Sequence, residues 1–218
     1  MTIVADVGTP YVGDRGDDVT MQRSVVEVTT SDGTPIRVRR GLRSDTAALL
    51  AGFEHLGEES RYHRFFTAMP ILSNPVLDQL TDVDGPYRMA IAAFDPTRDS
   101  EVGTDDGYGV GVARCIPSRA DQRTAELAVT VIDEYQGRGV GRVLLEALVV
   151  GALHGGLTSL YGYVMTTNAP MVHLFGRLGG RDQHVERPEP GVRRLAIDLA
   201  AASASMGARG ELYATMFR

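Results

Sequence analysis

The sequence contains no lysine, so all 22 of its basic side chains are arginines. This absence excludes a Walker-type phosphate loop, because that loop requires a lysine directly after its last glycine. It also excludes a lysine of this chain as a covalent nucleophile or as the partner in a Schiff base. Genomic base composition is a sufficient explanation for the bias, but the chemical consequences hold either way.

Cysteine is nearly absent as well, with Cys115 as the single thiol. One cysteine excludes a disulfide framework within the chain. Cys115 lies in an apolar stretch without a catalytic cysteine signature around it, so we interpret it as a small buried hydrophobic residue rather than as a nucleophile. The five histidines show no metal-ligand spacing, and we predict no metal site.

Long apolar runs are missing, since none reaches the roughly 20 residues that a membrane-spanning helix needs. The first residues include Asp6 and lack a basic start, so they do not resemble a signal peptide. The formal net charge of −6 argues against sequence-independent binding of nucleic acid, which depends on neutralising phosphates. We therefore expect no membrane partner, no nucleic-acid partner and a cytoplasmic location.

The 218 residues, 43% of them apolar, are ample for a buried core. Residues 1–22 are rich in glycine, aspartate and threonine, and we predict a loose N-terminal arm. Residues 23–199 carry strand and helix patterns without a clear linker, which indicates one mixed α/β domain. Residues 200–218 form a C-terminal tail of uncertain structure, which either covers an edge of the core or joins two subunits.

Within this domain, alternating and short apolar runs predict strands, and the three at 87–94, 108–116 and 124–132 should form an antiparallel meander. The other predicted strands are 36–40, 158–165 and 191–199. Helices are predicted where capping residues precede helical patterns, with the caps at Ser44 or Asp45, Ser60, Ser73 and Asn168.

Three glycines, Gly137, Gly139 and Gly141, fall close together in DEYQGRGVGR, residues 133–142. The stretch lies between an apolar strand and a helical pattern, and the apolar positions of that helix are Val140, Val143, Leu144, Ala147, Leu148 and Gly151. A strand, a glycine turn and a helix form an anion-binding site, because the first N–H groups of a helix have no partner inside it. The turn therefore predicts a phosphate or pyrophosphate site.

Two nucleotide-binding motifs other than the Walker loop can be compared with this turn. The dinucleotide fingerprint G-x-G-x-x-G requires a glycine where Arg142 stands. The pattern Q/R-x-x-G-x-G/A is matched by Gln136, Gly139 and Gly141. With the second motif NAPMVHLFGRLG downstream, the chain resembles the GCN5-related N-acetyltransferase (GNAT) superfamily, whose pyrophosphate loop for acetyl-coenzyme A reads this way.

The resemblance covers residues 35–199, and ESRYHRFF, AELAVTV and YQGRGVG are similar to the pattern of bacterial Pat-type protein lysine acetyltransferases. It implies an α/β fold of the mixed α+β kind: a single GNAT-like domain with a central, mostly antiparallel sheet flanked by helices. It also implies a V-shaped cofactor cleft beside the fourth strand, with acetyl-CoA as the cofactor.

The resemblance further assigns binding roles along the cleft. The backbone of Val129, Thr130 and Val131 would hold the pantetheine arm and the acetyl carbonyl. Asn168 would contact the cofactor, cap the following helix, or do both. The pyrophosphate loop would consist of Gln136, Gly137, Arg138, Gly139, Val140, Gly141 and Arg142.

Acyl transfer to an amine needs a base, because an ammonium group has no free lone pair. The resemblance places that base at Glu126, which interrupts an otherwise apolar strand; the alternative is an exposed strand carboxylate. Many superfamily members carry a tyrosine where this chain has Phe175, so the phenol that protonates the leaving thiolate is missing. His173 is nearby and could in principle donate this proton instead, but we interpret it as a helix-surface residue.

Three functions follow from these motifs. The first is an N-acetyltransferase that acts on a protein lysine by direct transfer. The second keeps the enzyme but takes a small-molecule amine as acceptor, and the third is a non-catalytic acyl-CoA-binding sensor. A homodimer is compatible with each of them.

Overall fold

The structure is a computed structural model that describes residues 24–83, 88–185 and 189–218, so the predicted arm at 1–22 lies outside the described residues. The strands are β1 (Val26–Thr29), β2 (Pro35–Arg40), β3 (Met89–Asp95), β4 (Tyr108–Pro117), β5 (Thr124–Val131), β6 (Ser159–Met165), β7 (Arg181–Asp182) and β8 (Val192–Asp198). The helices are α1 (Thr46–Glu54), α2 (Glu58–Phe65), α3 (Asn74–Thr81), α4 (Val140–His154), α5 (Ala169–Arg177), α6 (Leu199–Met206) and α7 (Ala208–Ala214). Short 3₁₀ turns cover Arg43–Asp45, Asp133–Tyr135 and Thr215–Phe217.

These strands form one sheet in the order β1-β2-β3-β4-β5-β6-β8-β7. The central strands β3, β4 and β5 are the predicted antiparallel meander, in which Ala113 lies between Ile91 and Val129. Strands β5 and β6 run parallel, because α4 crosses from the end of one to the start of the other. The predicted α/β fold with a mostly antiparallel sheet is confirmed.

The sheet begins one strand earlier than we predicted. Residues Val26–Thr29 pair with Pro35–Arg40 in a hairpin, and Val26 is buried while Glu27 is exposed. Four residues are too few for their alternation to stand out in the sequence. The strand that we counted as the fourth is consequently β5.

Helix α4 forms the centre of the core. Its predicted apolar face is buried, and burial also extends around the whole helix from Val143 to Ala152. The reason is that β3, β4 and β5 cover one side of α4, while α6 and α7 cover another. A helix between two layers has no face left for water, which a 3.6-residue apolar period alone does not reveal.

The C-terminal tail is helical and packs against α4. Tyr213 and Met216 are buried, and the ring of Phe217 fills the space left by Gly151, where a Cβ atom would stand 2.4 Å from that ring. Of the two roles that we considered for the tail, the structure shows it covering an edge of the core.

Two predicted helix caps differ from the structure. Ser60 lies inside α2, whose N-cap is Gly57, because the hydroxyl of Ser60 instead donates to Asp133 Oδ1 at 2.6 Å. Asp45 occupies the N-cap position of α1, but its carboxylate binds the buried guanidinium of Arg39 at 2.8 Å rather than the helix backbone. In both cases a tertiary contact outcompetes the local cap.

Candidate active site

Strands β5 and β6 pair over only three positions before they separate. The pairs are Thr124 with Ser159, Ala125 with Leu160 and Glu126 with Tyr161. From residue 127 to Val131, β5 has no strand partner on its β6 side within the described ranges. The divergence produces the predicted V-shaped cleft, with Glu126 at the last paired position.

The free edge of β5 presents backbone groups to this cleft. The N–H of Ile132 donates to Val110 of β4, and backbone groups alternate in direction along a strand. The groups of Thr130 therefore face β4, whereas those of Val129 and Val131 face the cleft. An extended, amide-containing arm lying along the cleft would find donors and acceptors at Val129 and Val131, and this binding role stays a prediction. The predicted backbone role of Thr130 is wrong, because its N–H and C=O face β4.

The glycine loop joins β5 to α4 and leaves a row of backbone donors unused. Gly137 and Gly139 have φ angles of 73° and 94°, which favour glycine, and Gly139 is the N-cap of α4. None of the N–H groups from Gly137 to Gly141 donates to another residue in the described part of the chain. Five consecutive free donors at a helix N-terminus form an anion-binding site.

Gly141 lies where the loop meets the cleft. A Cβ atom at this position would stand 3.6 Å from Leu174 of α5 and 3.8 Å from Val131 of β5. These are ordinary contact distances, so the protein itself tolerates a small side chain there. A larger side chain would occupy the passage between the loop and the cleft.

The polar side chains of the loop contact other parts of the protein. Gln136 Nε2 donates to Val131 O, Ser60 Oγ and Asp133 Oδ1 at 3.0–3.1 Å, which ties the loop to α2. Arg138 stacks over the Tyr135 ring at 4.9 Å. The predicted loop thus comes together as a unit, and Gln136 serves to hold its shape.

Arg142 is held by a carboxylate inside the core. Its Nε donates to Glu146 Oε1 at 2.7 Å, and Arg209 of α7 contacts the same oxygen at 3.2 Å. Glu146 is only 2% exposed, so its charge needs both partners. The tail therefore contributes to fixing the residue that ends the glycine loop.

Asn168 caps α5, as predicted. Its Oδ1 accepts a hydrogen bond from the N–H of Met171 at 3.1 Å. Gly179, with φ 73°, follows the end of the helix. The contact of Asn168 with the cofactor stays a prediction.

Glu126 projects from the sheet face opposite α4, beneath α2. Its side chain is half-buried and makes no hydrogen bond or ion pair with a residue that the structure describes. Burial raises the pKa of the Glu126 carboxyl above its usual value, and the more distant charges of Arg64 and Arg194 oppose the rise. A carboxylate with a raised pKa and free oxygens is suited to accepting a proton.

Three side chains beside Glu126 were not predicted from the sequence. Arg64 reaches it from α2, and Tyr161 lies directly across on β6. The guanidinium of Arg194, on β8, stacks over the Tyr161 ring at 4.0 Å. Tyr161 and Arg194 come together only through the pairing of β5, β6 and β8. The register of these strands cannot be read from the sequence.

Phe175 and His173 take the positions that we expected for them on α5. His173 is exposed, and Phe175 is fully buried with its ring tip 2.9 Å from where a Cβ of Gly162 would stand. Gly162 directly follows Tyr161, the last residue of β6 that pairs with β5, so this ring closes the bottom of the cleft.

The Phe175→Tyr substitution should leave turnover unchanged or lower it. The added hydroxyl has to enter close packing at Gly162, and overpacking of a core costs about 1–3 kcal/mol. Steady-state rates and thermal denaturation would measure both effects, with the exposed substitution His173→Gln as the control. A large gain in turnover would show that protonation of the leaving thiolate limits the wild-type rate.

Other reactive groups lie away from the cleft. Cys115 is buried on the α4 side of the sheet, and burial raises the pKa of its thiol to about 12. Among the described residues there is no group of three or more His, Cys, Asp and Glu side chains that could hold a metal ion. Every helix in the described ranges is too short or too polar to cross a bilayer.

Comparison with known proteins identifies the family of this chain. The family model described as "Acetyltransferase (GNAT) family" matches residues 73–180. The crystal structure of the GNAT domain of S. lividans PAT is 30% identical and superimposes with a TM-score of 0.69, over 80% of this chain and 96% of that one. A curated relative, acetyltransferase Pat of Mycolicibacterium smegmatis, is 29% identical over 182 residues, which are 78% of this chain but half of that protein's length.

The chain therefore belongs to the GNAT family of acetyltransferases, and acetyl-CoA is its cofactor. The same fold occurs in yncA from Salmonella typhimurium, whose structure holds acetyl-CoA, with 17% identity and a TM-score of 0.58 over 75% of this chain and 94% of that one. The long, phosphate-bearing cofactor fits the residues described above. The glycine loop offers free N–H donors for its pyrophosphate, and the edge of β5 offers backbone groups for its pantetheine arm.

Proposed function

We propose that this enzyme transfers the acetyl group of acetyl-CoA directly to a primary amine, with Glu126 as the general base. The observation that carries the proposal is the position of Glu126 where β5 and β6 part, half-buried and without a competing hydrogen bond. From there its carboxylate can reach an amine that approaches from the α2 side, while the acetyl group lies between the strands.

The chemistry follows from these positions. Glu126 takes a proton from the substrate ammonium, and the freed amine attacks the acetyl carbonyl carbon. The C–S bond then breaks, and the coenzyme A thiolate leaves. Because Phe175 cannot donate a proton, the thiolate takes one from water or from the attacking amine. The cleft-facing backbone of Val129 and Val131 orients the pantetheine arm during these steps.

For the acceptor we infer a protein lysine, in line with the resemblance to Pat-type lysine acetyltransferases. A small-molecule amine is the second candidate, and the guanidinium groups of Arg64 and Arg114 near Glu126 favour it. We also expect the enzyme to act in the cytoplasm, where acetyl-CoA is made and used, and a homodimer stays open to test by analytical ultracentrifugation.

An assay of thiol release from acetyl-CoA tests the proposal. One arm offers a panel of lysine peptides and the other a panel of small amines. Release with peptides identifies a protein acetyltransferase, and release with amines alone identifies a small-molecule enzyme. Stabilisation by coenzyme A without release in either arm would contradict catalysis and identify an acyl-CoA sensor.

Incubation with acetyl-CoA should leave no acetyl-lysine on the enzyme, since the chain contains no lysine. Mass spectrometry of the intact protein and its peptides would detect any acetyl group, with expected sites limited to the N-terminal amine and hydroxyls. Cys115 should stay unmodified because its thiol is buried and un-ionised at neutral pH. A kinetically competent acetyl-Cys115 would contradict direct transfer.

A further inference from the structure

A partly open cavity of about 90 Å³ lies between α1–α3 and the sheet face that carries Glu126. Ala128 and Thr130, which follow Glu126 on the same face of β5, form part of its floor. Most of the lining is apolar, and its charged members are Asp45, Arg64 and Arg114. Asp45 already binds Arg39, so the charges left for a ligand are both positive.

Arg114 is buried, and Asp82, a carboxylate that attracts it, is already bound to Arg43 and Arg88. The side chain of Arg114 is 5% exposed and forms no ion pair with any residue that the structure describes. One nitrogen, Nη2, donates to Gln79 O at 2.7 Å, but Nε is buried with no hydrogen-bond partner. Buried charges in proteins are normally paired, so a guanidinium without an ion pair in a cavity is suited to binding an anion.

Arg64 adds a second unpaired guanidinium to the same cavity. It stacks on the Phe65 ring at 4.9 Å and makes no hydrogen bond or ion pair within the described ranges. Burial lowers the pKa of both arginines to about 10, and repulsion by Arg64 adds to the effect on Arg114. Both stay cationic at neutral pH, and Glu126 is the carboxylate that faces Arg64.

We propose that Arg64 and Arg114 form an anion subsite that holds a carboxylate of the acceptor while the acceptor's amine lies at Glu126. The inference rests on the proposed transfer at Glu126, and it favours the second candidate acceptor, a small-molecule amine, in the form of one that carries its own carboxylate. A small amino acid satisfies this condition, whereas a lysine in a neutral peptide does not.

The sheet register places the two ends of such an acceptor. Arg114 lies opposite Ala128, two residues along β5 from Glu126, and the three side chains share one face. Arg114 and Glu126 are therefore diagonal neighbours, and such neighbours are about 7–8 Å apart. A short apolar chain between an amine and a carboxylate spans that separation along an apolar floor. The pyrophosphate of acetyl-CoA is no competitor here, because the glycine loop lies beyond the other end of β5.

Binding of hexanoate to the coenzyme A complex, followed by titration calorimetry, tests the subsite without any need for turnover. Hexanoate should bind the wild type, and Arg114→Met and Arg64→Met should each weaken it about ten- to a hundredfold, as expected for loss of a charge-assisted hydrogen bond. Methionine keeps the length and apolar stem of arginine. The exposed Arg123→Met is the matched control and should bind like the wild type.

A second measurement compares acceptors that differ only in the carboxylate. In the acetyl-transfer assay, kcat/KM for 6-aminohexanoate should exceed that for hexylamine by about ten- to a hundredfold, and Arg114→Met should reduce the ratio to about one. Arg64→Met serves the same purpose should Arg114→Met fail to fold. Hexanoate that does not bind the wild type, or that binds both variants equally, overturns the subsite. Hexanoate binding without transfer to any amine overturns the proposed function alone.

Discussion

Replacing Glu126 by glutamine should lower turnover at neutral pH by about 10²- to 10⁴-fold, the usual contribution of a general base. This loss corresponds to roughly 3 to 5 kcal/mol of activation free energy. Glutamine keeps the size of the side chain but cannot take a proton from the substrate ammonium. Because Glu126 lies at the opposite end of β5 from the glycine loop, thermal stabilisation by coenzyme A should be unchanged.

The control for this substitution is Glu54→Gln, an exposed carboxylate on α1 that should leave the rate intact. The pH profile gives an independent readout. Wild-type kcat/KM should rise with pH through the pKa of Glu126, which burial has raised, and the variant should lose this limb and follow the free amine instead. Near-normal turnover with an unchanged profile would make Glu126 a plain strand carboxylate.

The raised pKa of Glu126 also predicts the sign of its effect on stability. A carboxyl whose folded-state pKa lies above its unfolded value binds more protons when folded, so this group's contribution to stability falls as pH rises through that window. Glu126→Gln removes the contribution. At pH 7 the Tm of the variant should therefore equal or exceed that of the wild type. At pH 4 any difference between the two Tm values should disappear.

Most of the strands and helices could be predicted because their sequence signals are local, whereas the architecture of the whole sheet was implied by the resemblance to the GNAT superfamily. The alternation in β3, β4 and β5, the apolar period of α4 and the cap at Asn168 all depend on neighbours within a few residues. The structure of the tail at 200–218 could not be predicted in this way, because the positions of α6 and α7 depend on contacts with α4 that no local pattern records.

The predicted site likewise has one part that local sequence signals reveal and one part that they do not. The glycine loop could be predicted because φ angles of 73° and 94° at Gly137 and Gly139 restrict the residue type directly. The surroundings of Glu126 could not, because Arg64 comes from a helix 62 positions earlier in the chain and Arg194 from a strand 68 positions later. Their roles depend on strand order and burial, which are properties of the tertiary structure.

The second large effect concerns the glycine loop. A ligand that binds only the folded state adds RT ln(1 + [L]/Kd), about 2.7 kcal/mol at a hundredfold excess over Kd. For a chain of this size that corresponds to a rise in Tm of roughly 5–10 °C with coenzyme A. Gly139→Val and Gly141→Val should each abolish the rise, because a branched side chain stands in the way of the phosphates.

Matched controls separate this effect from backbone strain. Gly156 has a φ of 90°, close to the 94° of Gly139, but lies beyond the far end of α4 with nothing within 4 Å of its missing Cβ. Gly156→Val should therefore lower the intrinsic Tm about as much as Gly139→Val while keeping the full coenzyme A shift. Gly176→Val, on the open side of α5, is the equivalent control for Gly141→Val. A full shift in Gly139→Val and Gly141→Val would place the phosphates elsewhere and remove the free N–H groups of this loop from cofactor binding.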